Sequence, residues 1–103
     1  MKKTDLSQTE VVDNKIFSQY EIRVDGHVAK IEYSNKSGKM FLIHTEVPKE
    51  LAGQGVASFL AKETFKLIGE QGIPIVPMCK FIKTYIRKHP EYHQLVVKGI
   101  QIH

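Results

Sequence analysis

The sequence predicts an α+β domain: an antiparallel β-meander, then a helix, a strand and a second helix, forming a mixed sheet with the main helix packed on one face. Three observations predict it. Apolar residues alternate through most of residues 15–47, interrupted at Asp25-Gly26 and at Asn35-Lys36-Ser37-Gly38. Pro48 and the closely spaced glycines Gly53 and Gly55 then end the alternation. Beyond them, apolar residues recur twice at helical spacing, with a short apolar segment between.

Residues 1–12 are polar and read as a flexible N-terminal arm, leaving residues 13–103 as one domain. Asp13-Asn14 marks a turn. Ile16, Ser18, Tyr20, Ile22 and Val24 share one parity, which predicts a half-buried strand over residues 15–24. Asp25-Gly26 is a hairpin turn signal. In the next strand, residues 27–34, Ala29, Ile31 and Tyr33 form the apolar face. The third strand, residues 39–47, carries Met40, Phe41, Leu42 and Ile43 in a row, so it reads as central and covered on both faces. Pro48 stops it, because proline has no amide hydrogen to give a ladder.

Val56, Phe59, Leu60, Leu67 and Ile68 predict a helix over residues 54–70, ended by Gly69 and Gly72. Residues 73–76 are a short apolar strand closed by Pro77. The order strand, helix, strand predicts a crossover into a parallel pair. A second helix over residues 79–88 turns Phe81, Ile82, Tyr85 and Ile86 inward and Lys80, Lys83, Arg87 and Lys88 outward. Pro90 ends it. Residues 91–95 read as a turn, and Val96 and Val97 as a little edge structure.

The chain has 103 residues, 42% hydrophobic and 25% charged, as expected for one soluble domain. Its net charge of +4 suits an anionic partner such as a nucleotide, a nucleic acid or a phosphorylated cofactor, and equally a solvated lysine surface. One cysteine excludes an internal disulfide and fits a reducing, cytoplasmic setting. Residues 1–10 have no apolar stretch and do not read as a signal peptide. No apolar run approaches the ~20 residues that span a membrane. His27, His93 and His103 are scattered, and no Cys/His or carboxylate cluster has metal-ligand spacing, so no metal is expected.

Gly53-Gln54-Gly55-Val56-Ala57 lies where a strand hands over to a helix. Glycines there let the main chain approach a ligand closely. The first helical amides lack internal partners and attract an anion, helped by the helix dipole. A pyrophosphate is the natural guest. Taken alone, the same glycines also fit a plain loop that needs a positive φ.

Four runs extend this pattern: His44-Thr45-Glu46-Val47-Pro48, Gly53-Gln54-Gly55-Val56-Ala57, Leu60-Ala61-Lys62 and Pro77-Met78-Cys79-Lys80-Phe81-Ile82. Together they resemble the GNAT N-acetyltransferase superfamily, and more closely its short stand-alone members. The resemblance covers roughly residues 30–92. It implies acetyl-CoA as co-substrate and an amine acceptor. It implies that the strand bulges and that Thr45, Glu46 and Val47 offer main-chain groups to the pantetheine arm. The phosphates fall to Gly53, Gln54, Gly55, Val56, Ala57 and Ser58. In the basic stretch Lys80, Lys83, Arg87 and Lys88, one or two residues such as Lys83 are within reach of the adenosine 3′-phosphate, although the stretch reads first as a solvated helix face. Ala52 stands where the family usually has Gln or Arg, so the phosphate grip is expected to be mainly backbone.

Cys79 sits at the expected start of the second helix, where the helix terminus, Lys80 and Lys83 favour the thiolate. A thiolate can take acetyl from one thioester into another. Free cysteine is also a frequent core residue. His44 and Glu46, two apart on one strand face, are candidate bases for an attacking amine, although a strand histidine satisfied by its neighbours has the same pattern. Tyr85 is a candidate to protonate the departing thiolate, and its spacing equally fits the core.

Asp25-Gly26 joins two strands directly, leaving no room for the helices that wall the acceptor site in longer relatives. An open acceptor site, suited to a protein lysine or N-terminus, follows. The leading reading is an acetyl-CoA-binding N-acetyltransferase. The alternatives are a catalytically silent coenzyme A-binding module and, more remotely, a small basic nucleic-acid-binding domain. Against the last, Phe17, Tyr20, Tyr33 and Phe41 are expected in the core rather than on a stacking platform.

Overall fold

The computed structural model describes Leu6 and residues 8–99. Five strands form one sheet in sequence order. They are β1 (Val12–Asn14), β2 (Gln19–Val24), β3 (His27–Lys36), β4 (Lys39–Glu46) and β5 (Ile75–Pro77). The first four pair antiparallel, and β5 lies parallel to β4. Helix α1 (Val56–Gln71) connects β4 to β5, and α2 (Lys80–Lys88) follows β5. The α+β meander and the parallel crossover pair are as expected.

One face of the sheet carries the core. Tyr20 and Ile22 of β2, Ala29, Ile31 and Tyr33 of β3, Met40 and Leu42 of β4 and Ile75 of β5 are buried. Against them α1 sets Val56, Leu60, Ala61, Phe65 and Ile68, and α2 sets Ile82, Tyr85 and Ile86. Each large apolar side chain buried this completely contributes roughly 1.5–3 kcal/mol. The opposite face bears Glu21, Arg23, Lys30 and Glu32, none of them buried. The expectation that β4 is covered on both faces fails: Phe41 is half-buried and Ile43 is 48% exposed.

The first predicted strand is also corrected. Residues 15–18 form a turn, and β2 begins only at Gln19. Ser18 takes φ +53°, and its carbonyl accepts the Tyr33 amide at 2.9 Å. Asn14 Oδ1 accepts the Phe17 amide at 3.2 Å. Ile16 and Phe17 therefore point outward, 89% and 71% exposed, rather than into the core. Within the expected arm, Val12 pairs with Glu21, and Leu6 and Val11 rest against the core. The rest of that arm, residues 1–5 and 7, lies outside the described residues, as does His103.

Smaller differences concern ends. Gly72, φ +70°, closes α1 by donating its amide to Ile68 at 3.1 Å, while Gly69 stays helical beneath Leu95. A 3-10 turn, Pro90–Leu95, replaces the expected open turn. Val96 bridges Ile75, and the Val97 amide donates to the Ile75 carbonyl at 2.9 Å.

Candidate functional site

The parallel pairing of β4 with β5 runs from Met40↔Ile75 to Leu42↔Pro77 and stops. There the Leu42 carbonyl accepts two amides, from Met78 at 2.9 Å and Cys79 at 3.1 Å. After this clamp β5 gives way to α2, while β4 continues to Glu46 paired only with β3. Among the described residues no strand takes the place of β5 there, which leaves a gap in the strand pairing between the end of β4 and the start of α2.

A bulge decides which side chains face that gap. Glu32 pairs with His44 and Tyr33 with Leu42, so Ile43 is an extra residue on β4. The bulge that the resemblance implies is therefore at Ile43. Without it, the alternation of Met40 and Leu42 would bring His44 to the core face. With it, Thr45 lies opposite buried Ile31 on that face, and His44 and Glu46 lie opposite Glu32 and Lys30 on the other.

Thr45 and Cys79 consequently meet across the gap. The Cys79 thiol donates to Thr45 Oγ1 at 3.5 Å, within the longer range allowed for sulfur. Cys79 is half-buried, free and the N-terminal cap of α2, not its first residue. Burial pushes its thiol up, but the Thr45 hydroxyl together with the amides of Ile82, Phe81 and Thr45 outweighs this, holding the thiol below its usual value. Hydrogen bonds, rather than the lysines invoked from sequence, carry the effect.

At the other helix start, Gly53 and Gly55 adopt φ +75° and +77°. Both values favour glycine, and a Cβ at either position would meet nothing within 4 Å. The helix begins at Val56, two residues later than predicted, with Gly55 as its cap. No side chain caps it, and its first turn has no acidic residue. The early amides, including those of Val56, Ala57 and Ser58, are thus left to an outside partner. Gln54 does not reach outward: its Nε2 donates to the Glu50 carbonyl at 2.9 Å and clasps the loop. Val47 packs partly against the core.

His44 Nε2 lies 3.6 Å from Glu46 Oε1, both side chains more than half exposed. Lys30 Nζ pairs with Glu32 Oε2 at 2.9 Å beside them. The structure thus joins His44 to Glu46 and Thr45 to Cys79 but places the two pairs on opposite faces of one strand. Lys83 is half-buried one turn into α2, and its amide donates to the Cys79 carbonyl at 3.0 Å.

Tyr85 belongs to the core, not to the gap. It is buried against Phe65, stacks on His89 at 4.2 Å and on Tyr92 at 5.8 Å, and burial with the neighbouring Tyr92 pushes its hydroxyl up to about 12. The contact of the Thr45 side chain with Cys79 is what sequence reasoning missed, since its direction depends on a bulge that alternation does not show. Among the described residues no group of His, Cys, Asp and Glu has metal-binding geometry, and no helix is long and apolar enough to cross a membrane.

The sequence has known counterparts. Residues 19–95 match the family model described as GCN5-related N-acetyl-transferase. The chain is 32% identical over 76 residues to Protein NATD1 of Xenopus tropicalis, covering 70% of this chain and 69% of the relative. To Protein NATD1 of Mus musculus it is 31% identical over 75 residues, covering 70% and 68%. The match runs from β2 through the last 3-10 turn and takes in both helix starts, and the chain belongs to the GCN5-related N-acetyltransferase family.

Proposed function

We propose that this protein binds acetyl-CoA in the gap between β4 and α2 and transfers its acetyl group to an amine by way of Cys79. The observation that carries the reading is the meeting of Thr45 and Cys79 where the pairing of β4 and β5 ends. The residues suit the ligand. Two left-handed glycines precede an uncapped helix start without acidic residues, which fits a pyrophosphate held by backbone amides. Ser58 on the same turn and Lys83 on α2 are the side chains offered to the phosphates, and the Thr45, Glu46 and Val47 backbone the groups offered to the pantetheine arm.

When bound, acetyl-CoA supplies an activated acyl group as a thioester. Cys79, as thiolate, bonds the acyl carbon while the bond to the leaving sulfur breaks. The leaving thiolate takes up a proton equivalent to the one Cys79 released to solvent. The acceptor amine then bonds the acyl carbon as the Cys79 S–C bond breaks, and Cys79 leaves as thiolate. His44, paired with Glu46, is the base offered to the amine proton, and from the other face of β4 it takes that proton by way of intervening water. A two-residue turn at Asp25-Gly26 joins β2 directly to β3, with no helix between them to wall the acceptor site. This suits a protein lysine or N-terminus.

A second reading, a silent coenzyme A-binding module, draws on the separation of His44 and Glu46 from the thiol by the thickness of one strand. Incubation with acetyl-CoA and a lysine-bearing peptide distinguishes the two. Transfer predicts release of free coenzyme A together with an acetylated peptide, whereas the module predicts binding with neither product.

A further inference from the structure

We propose that Thr45 is a positioning residue for the Cys79 sulfur: its hydroxyl accepts from the thiol at rest and turns to donate to the thiolate. This extends the reading of Cys79 given above and rests on it for its place in catalysis.

The contact joins the far end of β4 to the start of α2, beyond the clamp at the Leu42 carbonyl. Thr45 comes from β4, beyond the last residue paired with β5. Cys79 comes from the start of α2. A hydroxyl suits both protonation states, because it has one rotatable donor and two acceptor sites. The Phe81 and Ile82 amides of α2 and the Thr45 amide act with that hydroxyl in lowering the thiol from its ordinary value. Donors of this kind favour the anion and contribute little to a neutral thioester sulfur. They assist the thiol twice: by raising the thiolate fraction that attacks, and by making Cys79 a better leaving group when an amine displaces it.

The bulge at Ile43 gives the contact its origin. It reverses the parity of β4, so that a β-branched hydroxyl residue meets the sulfur instead of His44. Thr45→Val keeps the shape and removes the hydroxyl. Thr45→Ser keeps the hydroxyl and removes the methyl group.

The test is the rate of Cys79 alkylation by iodoacetamide as a function of pH, on the full chain and without acetyl-CoA. Cys79 is the sole cysteine, so the readout is unambiguous. Thr45→Val is expected to move the profile to higher pH and slow labelling at pH 7 by roughly 3- to 10-fold. Thr45→Ser is expected to restore most of the rate. Unchanged circular dichroism and melting temperature in both variants show that the fold is kept. A Thr45→Val profile that overlays wild type, or one that Thr45→Ser matches in its loss, overturns the proposal. Failure of the wider reading looks different: the profile shifts in Thr45→Val, yet acetyl-CoA leaves no acetyl group on wild-type Cys79.

Discussion

Helices α1 and α2 start at the same end of the sheet, each following one of the two parallel strands. Among the described residues neither has a side-chain cap of hydrogen-bond geometry, and neither carries an acidic residue in its first turn. They differ in what stands at the cap. Gly55 brings no side chain to the α1 amides, whereas Cys79 places its own sulfur at the start of α2 and leans it on Thr45. A bare helix start is prepared for an anion from outside. One occupied by a thiol is prepared to make an anion of its own. The same backbone physics thus yields a phosphate cradle at one strand end and an activated sulfur at the next.

The sharpest way to break this comparison is to remove a step that neither helix supplies. His44→Gln is expected to leave acetylation of Cys79 intact and to slow transfer to a lysine-bearing peptide about 100-fold. Single-turnover kinetics on pre-acetylated protein would show this. An equal loss in both half-reactions would place His44 with the thiol instead.

Gly55→Val probes the cradle. A β-branched residue at φ +77° costs on the order of 2 kcal/mol of stability. Coenzyme A affinity should drop about tenfold or more by calorimetry, because the strained turn withdraws the first amides. Cys79 alkylation should stay near wild type. If the alkylation profile moves as far as the affinity, the two helix starts are not independent.

A smaller effect concerns the anchoring of α2. Tyr85 has its hydroxyl pushed from 10.0 up to about 12. A group that ionises less readily when folded gives stability that is complete below the unfolded value and is lost as pH rises through the folded one. Stability is expected to decline between about pH 10 and 12 by about 3 kcal/mol at most. Tyr85→Phe should flatten that part of the profile in urea titrations. Because Tyr33 is also pushed up, by burial and its bond to Asp13, a residual slope should remain.

Much of this architecture is legible in the sequence because local signals agree. Asp25-Gly26 supplies the φ values of +50° and +80° for a tight hairpin, and Gly72 supplies the left-handed end of α1. What escapes is set by partners distant along the chain. The parity that runs through Ile16 and Ser18 continues into buried Tyr20, so the alternation hides a turn that depends on Asn14 and on the Tyr33 amide. Met40 to Ile43 is apolar enough to read as covered on both faces, but both helices pack on one. The bulge at Ile43 reflects pairing with β3 and the double hydrogen bond to Leu42, neither of which alternation can report. For the same reason the sequence shows that His44 and Glu46 share a face, but not that Thr45 is the residue that meets Cys79.

The central claim is that the sulfur at the start of α2 carries the acetyl group. Intact-protein mass spectrometry after incubation with acetyl-CoA tests it directly. The expected result is a gain of one acetyl group on the wild-type chain and no gain on Cys79→Ala, with coenzyme A still bound by the variant. An unmodified wild-type chain, or an equal gain on Cys79→Ala, would contradict it.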